Sequence, residues 1–290
     1  MMIQRQYHYF ISGLPNISFE DKKAWTSMAS FKKILEDHLH PDDFEQAKYI
    51  FLKEDHDNLI SFIEKGETDP ERNGNFTIDD FKEQVNLFYA ILPAEDILPP
   101  YMVRVLKENE EHREREEKMD PVRCSHLLAE GYYDFIMEHG SPFLKAYTGF
   151  EYDLANLITY IKTERHGYDK GRFLSGASEH VRHLRQYLKK TLAKDPEFEF
   201  FDEIMSYAGI QTFEEQEIKF DQLKWRVIDE MIFFEEFTID WILGYLEQML
   251  IVSRWASLKK GPGEEKLREM IDNVRKEAIR ERERADQEER

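Results

Sequence analysis

Apolar positions along the chain recur at the three-and-four spacing of helix faces. Phe31, Ile34, Leu35 and Leu39 mark the first such face. The same spacing covers Ala47 to Ile63, Phe81 to Leu92, Cys124 to Met137, Leu154 to Ile161, Val181 to Leu192, Phe220 to Ile232 and Ile239 to Leu258. Val, Ile and Thr are scattered instead of alternating, and the one candidate strand is His8 to Ser12, stopped by Gly13-Leu14-Pro15. Ser18 with Asp21, Thr77 with Asp80 and Thr212 with Glu215 each set a hydroxyl three residues before a carboxylate, a capping-box pattern that predicts helix starts. The pattern predicts an all-α protein.

One predicted helix differs from the rest. Ile239 to Leu258 has an apolar face at Ile239, Ile242, Leu243, Leu246 and Leu250, and a second at Trp241, Tyr245, Val252 and Trp255. A helix apolar on both sides belongs in the centre of a core; Glu247 and Arg254 within it argue against a membrane-facing hairpin. Two stretches are nearly free of apolar residues. Lys107 to Asp120 is an exposed helix or a connector. After Gly261-Pro262-Gly263, residues 264–290 keep one narrow stripe (Leu267, Met270, Ile271, Val274) and then alternate Arg with Glu, which predicts a docked helix fraying into solvent.

The chain also repeats itself. Tyr49 to Ile63 and Tyr147 to Ile161 align without a gap at an offset of 98, sharing Tyr49/Tyr147, Asp55/Asp153, Asn58/Asn156, Leu59/Leu157, Ile60/Ile158 and Ile63/Ile161. The common core is Asp-x-x-Asn-Leu-Ile-x-aromatic-Ile. Asp and Asn three apart share one side of a helix, where either can accept backbone N–H bonds from a neighbouring helix end. Trp241 to Trp255 is a weaker echo that sets Glu247 in the place of Asp153.

These features resemble the central-stalk socket subunit of the V/A-type rotary ATPases. The resemblance lies in the opening segment Tyr7 to Pro15, the signatures Asp55-Asn58-Leu59 and Asp153-Asn156-Leu157, and Gly244-Tyr245-Leu246-Glu247 with Arg254. Basic residues that the family tends to place after the Asn-Leu pair are missing at Ser61 and Phe62 and at Thr159 and Tyr160. The resemblance implies an all-α, funnel-like protein of three pseudo-equivalent helical units with a charged C-terminal helix. On this chain the division is 1–30 N-terminal segment, 31–105 first unit, 106–121 charged connector, 122–211 second unit, 212–262 third unit and 263–290 charged tail. It further implies a non-catalytic part of the central stalk whose partners are the rotor-shaft subunits and the membrane proteolipid ring. It implies no cofactor and no metal, and assigns no contact residues.

Charge sharpens this expectation. The 290 residues carry 40 Lys and Arg against 59 Asp and Glu, a formal charge of −19. That balance argues against nucleic acid and against independent binding to anionic lipid. Phe (21) and Tyr (14) are too plentiful for a disordered chain. The single Cys124 excludes a disulfide framework and a four-Cys zinc site and fits a reducing compartment. No secretory signal opens the chain and no apolar run reaches about 18 residues. The expectation is a cytoplasmic protein, peripheral to the membrane through its partners and not inserted in it.

Chemistry-bearing motifs are sparse. Asp69 to Asp80 fits a calcium-loop template with Asp69, Glu71, Asn73 and Asn75 at positions 1, 3, 5 and 7, Gly74 at 6 and Asp80 at 12. Position 12 should be a bidentate Glu, and an Asn73-Gly74 turn followed by a Thr77 cap explains the same residues. His180 and His183 could be two metal ligands but read better as a solvated face. Cys124 near His126 invites a thiol-nucleophile reading, against that of a small core residue. Gly167 to Gly176 fits a turn and no nucleotide fingerprint. Glu214, Glu215 and Glu217 read as favourable charge at a helix start. Trp225, Trp241 and Trp255 read as core or interface anchors. The alternatives to a coupling subunit are a helical hydrolase or metal-dependent enzyme with dispersed Asp, Glu and His, or a free-standing, calcium-responsive adaptor.

Overall fold

Helix starts are set by side chains that accept the orphan N–H groups of a first turn, often with Pro at the next position. Ser27 accepts from Ser30 N–H, His40 precedes Pro41, Asp120 precedes Pro121, and Ser141 precedes Pro142. Thr77 and Asp80 form the reciprocal capping box that the sequence predicts. The structure, a computed structural model, describes residues 5–258 apart from 22, 70–71, 93, 189–191, 193, 195–197 and 211. In chain order its helices are α1 (His8–Gly13), α2 (Met28–His38), α3 (Pro41–Lys65), α4 (Ile78–Phe88), α5 (Pro100–Glu114) and α6 (Pro121–His139). Then come α7 (Pro142–His166), α8 (Lys170–Phe173), α9 (Glu179–Gln186), α10 (Phe201–Ala208), α11 (Phe213–Ile232) and α12 (Ile239–Leu258). No strand occurs among the described residues. The predicted charged tail at 263–290 lies outside them.

α12 forms the centre. Residues 242–249 are an unbroken buried run, and the helix touches α2, α3, α7 and α11. Both of its apolar faces therefore meet partners, and the polar residues caught in the run, Glu247 and Gln248, are buried with them. α3 and α7 frame it. Each is 25 residues long, each opens on Pro, and each ends at a glycine with φ of 72°, Gly66 and Gly167. That left-handed cap conformation is one that glycine adopts without the Cβ clash.

Three expectations are corrected. His8 to Ser12 lies within the helix α1, because Tyr7, Phe10, Ile11 and Leu14 pack against the core at helical spacing. Ser18 and Asp21 close an isolated turn, Asp21 accepting from Ser18 N–H, and the next helix waits for Ser27. Lys107 to Glu114 is the second half of α5, whose apolar half, with Met102, Val103, Val105 and Leu106 buried, precedes it.

The N-terminal segment is bound to the far end of the sequence. Trp25 Nε1 donates to the Tyr245 hydroxyl (2.9 Å), which donates to Pro15 O (2.8 Å). The Trp25 and Tyr245 rings both pack against Phe31 of α2, at 5.7 and 5.8 Å between centroids.

Candidate functional site

The repeated Asp-x-x-Asn pairs hold returning chain. Asn58 Oδ1 accepts from Asp69 N–H (3.0 Å), and Asn156 Oδ1 accepts from Ser175 N–H (2.9 Å). Asp55 accepts from the N–H groups of Asn75 (2.7 Å) and Phe76 (3.0 Å), just before α4. Asp153 accepts from the Ser178 hydroxyl (2.8 Å), the N-cap of α9. Both copies of the motif thus pin a segment that enters a later helix, α4 in the first case and α9 in the second, and both Asn side chains are buried. Gly74 is required by this packing, since a Cβ there would lie 2.2 Å from Asp55 Oδ1.

Between the framing helices lies a partly buried set of charges, with Glu247 the innermost. Lys53 of α3 donates to Glu151 of α7 (2.5 Å) and to Glu247 of α12 (3.0 Å), and Lys224 of α11 donates to the other oxygen of Glu151 (3.0 Å). Lys53 and Glu151 are 98 residues apart, the offset of the sequence repeat, and Glu247 follows Glu151 by 96. In the sequence echo Glu247 stands in the place of Asp153, whereas in the structure it meets the residue aligned with Glu151. Two lysines and two glutamates leave the cluster formally neutral, which is what tolerates its burial. Burial disfavours the Glu151 carboxylate, but Lys53 and Lys224 outweigh it and hold the pKa down at about 2. For Glu247 burial wins over Lys53 and raises the pKa. Lys53 sits well above the usual ammonium range: burial works against it, and Glu151 and Glu247 overcome that. One turn along α3, His56 Nε2 lies 2.6 Å from the Tyr101 hydroxyl, with the Tyr101 and Tyr132 rings set edge-on at 5.5 and 5.4 Å. Burial, then Lys53, push its pKa down to about 3, so the imidazole is neutral at pH 7.

The connections leading into α3, α7 and α12 gather together. Tyr7 N–H donates to Phe237 O (2.7 Å), ahead of α12, while the Tyr7 hydroxyl accepts from His40 N–H (3.2 Å) and donates to Asp43 on α3. Gln46 of α3 bonds His139 O (3.1 Å) and Ser141 N–H (2.6 Å) ahead of α7, and the Ser141 hydroxyl donates to Asp240 on α12. Arg5 pairs with Asp42 (3.0 Å) and Asp43 (3.3 Å) at the same place. One end of the protein is therefore stitched from the starts of its three central helices.

Other candidate residues fall elsewhere. In the 69–80 loop, Asp80 is spent on Thr77 N–H (2.6 Å) and its hydroxyl (2.7 Å). The N–H groups of Asn75 and Phe76 face Asp55, and Arg72, whose Nε stands 3.9 Å from Asp69, pairs with Glu54 and Asp57. Glu71 lies outside the described residues. Calorimetric titration with calcium is therefore expected to give no saturable heat in the sensor range, Kd of about 10⁻⁷–10⁻⁵ M; saturable binding there would restore the calcium-loop reading. His180 is buried against Phe198 (4.5 Å), not on a solvated face, because α9 turns its Val181–Leu184 side inward with it. His183 packs on Tyr187 (5.1 Å).

Cys124 is in the core, where burial raises its thiol pKa to about 12, while His126, two residues on, turns to another side of α6. His126 borders a groove of about 410 Å³ with Ser125, Tyr152, Asn156, Phe173 and Ser175. The Tyr152, Asn156 and Ser175 groups there bond one another. Gly167 caps α7, and α8 occupies the middle of the 167–176 stretch. Glu214 and Glu215 lie in the first turn of α11, and Glu217 pairs with Arg254 (3.5 Å). Trp225 meets Phe19, Trp241 stacks on Tyr245, and Trp255 Nε1 donates to the buried Asp221 (2.7 Å). Among the described residues, no group of three or more His, Cys, Asp or Glu could hold a metal ion, and no helix is long and apolar enough to cross a membrane.

No curated protein and no solved structure matches the chain. One family does, over residues 4–278, and so over nearly the whole length. The chain belongs to the family described as protein of unknown function (DUF2764).

Proposed function

We propose that this protein is a non-catalytic central-stalk subunit of a V/A-type rotary ATPase, a socket that couples the rotor shaft to the proteolipid ring of the membrane. The observation that carries the reading is the junction of Lys53, Glu151 and Glu247, set 98 and 96 residues apart on α3, α7 and α12. Three helices joined at such regular intervals are what three pseudo-equivalent helical units, as in the socket of those ATPases, would bring together. A part that passes torque needs a body that does not shear. Close-packed apolar side chains transmit strain, and charge pairs across helices fix their register against sliding. The stitched end formed by Tyr7, Gln46, Ser141 and Asp240 locks the same helices a second time. The formal charge of −19 favours attachment to the membrane through partner subunits over contact with anionic lipid. In that role the protein is cytoplasmic and peripheral to the membrane.

Purification of the tagged chain from membranes of its own cells is expected to bring rotor-shaft and proteolipid subunits with it. A lone monomer, recovered from membranes that contain the assembled ATPase, would overturn the reading.

A further inference from the structure

The α2–α3 and α6–α7 connections are made in two residues each, Leu39-His40 and Gly140-Ser141. The α11–α12 connection lies beside them at the stitched end and takes six, Phe233 to Thr238. Joining two helices at this end therefore needs two residues, and the extra chain does other work. Its first two residues are Phe233 and Phe234, 70% and 88% exposed, with their rings edge-to-face at 4.8 Å. Two adjacent exposed rings make a contiguous apolar patch, the kind of surface feature that marks a contact site where single exposed side chains do not. The loop is also held in a costly shape. Phe237 has φ of 63°, a region that L side chains seldom adopt, and is kept there by Tyr7 N–H on its carbonyl and by the His8 ring at 4.2 Å. The strain closes the loop back onto α12 and leaves the Phe pair outside.

Charge around the pair defines its partner. Along the chain the two rings are flanked by Asp229, Glu230, Glu235 and Glu236, and the nearest cation, Arg226, is already paired with Glu203 and Glu230. Two copies of this surface facing each other would set like charges together, and an anionic membrane would repel it. We propose that the α11–α12 connection is a docking knob that inserts Phe233 and Phe234 into an apolar pocket of a protein partner, bordered by Lys and Arg. Aromatic anchors buried at the centre of a contact supply most of its affinity, and the acidic rim supplies steering and orientation. The inference goes beyond the rotary-ATPase reading and holds for whatever assembly contains the chain.

A benzophenone side chain placed at position 234 of the full-length protein, and irradiated in its own cells, tests this. The same group at the exposed position 111 of α5 serves as the control. The expected result is an adduct specific to position 234, on a protein whose cross-linked peptide combines apolar residues with Lys or Arg. The affinity of that identified partner should fall roughly tenfold or more in the Phe233→Ser/Phe234→Ser variant, and should also weaken with added salt. An unchanged melting temperature shows that the variant is folded, as expected for side chains so exposed. An adduct with a second copy of the chain, with lipid, with an acidic peptide, or none beyond the control, would overturn the knob. The adduct also separates the two proposals: a basic pocket on a protein outside the ATPase keeps the knob and removes the socket.

Discussion

Replacing Lys53 by Met is expected to destabilise the protein by about 1–3 kcal/mol, less than the roughly 3–5 kcal/mol of a fully buried pair because the Lys53 side chain is a third exposed to solvent. Lys53 stands between two carboxylates, Glu151 of α7 at 2.5 Å and Glu247 of α12 at 3.0 Å. With it gone, Glu151 keeps its ion pair with Lys224, while the buried Glu247 loses its own ion pair and keeps only the longer-range attraction of Lys224 against the repulsion of Glu151. At roughly 2–4 °C per kcal/mol for a chain of this size, the melting temperature should fall by about 2–12 °C. The companion variant Lys53→Met/Glu247→Gln removes the stranded charge and leaves the Glu151–Lys224 pair intact. It should recover most of the loss, which packing damage alone at position 53 would not allow. Thermal and urea unfolding of the wild type and both variants measure this. A single variant within about 0.5 kcal/mol of wild type would mean that the cluster is solvated and joins nothing.

The second large effect is set by pH. His56 has a folded pKa of about 3 against an unfolded value of 6.5, so between those limits the unfolded chain binds a proton that the folded one refuses. Stability from this group is complete above pH 6.5 and is lost as pH falls toward 3. At pH 4.5 the loss is on the order of 2–3 kcal/mol, or about 4–12 °C in melting temperature. Glu151 adds loss in the same direction, but only below its unfolded 4.5 and down to about 2. Glu247, with its pKa raised, works oppositely, becoming less favourable as pH rises through its own titration. The single variant His56→Gln isolates the histidine. Its amide oxygen can accept the Tyr101 hydroxyl as Nε2 does, and it carries no proton to gain. The melting temperature of the wild type relative to that of the variant should be highest above pH 6.5 and should fall toward pH 4.5, whichever of the two is the more stable at neutral pH. A gap that stays constant with pH would show that His56 titrates normally in the folded protein.

Helix positions were largely legible because burial leaves a periodic trace. The two apolar faces of α12 anticipated its central seat, and Thr77 with Asp80 anticipated a capping box that the structure contains. What escaped did so for physical reasons. α5 straddles a change in surface exposure: its apolar half follows Pro99-Pro100 and its charged half continues to Glu114, so neither half carries a complete stripe. α1 is too short for five residues to separate a period of two from one of 3.6. The Asp-x-x-Asn repeat was visible, and its role in pinning Asn75, Phe76 and Ser178 is the accepting role its chemistry suggested. The charge junction was not visible. Lys53 aligns with Glu151, opposite charges at equivalent places, and a search for identity passes over them because complementarity needs them unlike. The Phe233–Phe234 pair was hidden in another way: at the end of a helical stripe, exposed and buried Phe look the same in sequence.

The bonds from Trp25 to Tyr245 and from Tyr245 to Pro15 span 220 and 230 residues. On the ribosome, at about 5–20 residues per second, the beginning of this chain therefore waits some 10–45 s for its seat to be made. Until α12 emerges, Trp25 lacks its hydrogen-bond partner and the face of α2 around Phe31 has only α3 to pack against. A nascent chain cut short before Phe237 leaves Trp25 and Pro15 without Tyr245, while Arg5 and Tyr7 keep only their bonds to Asp42, Asp43 and His40. Such a fragment offers chaperones and proteases a stretch around Pro15 to Trp25 without its seat, which makes the early segment a gauge of whether synthesis reached α12.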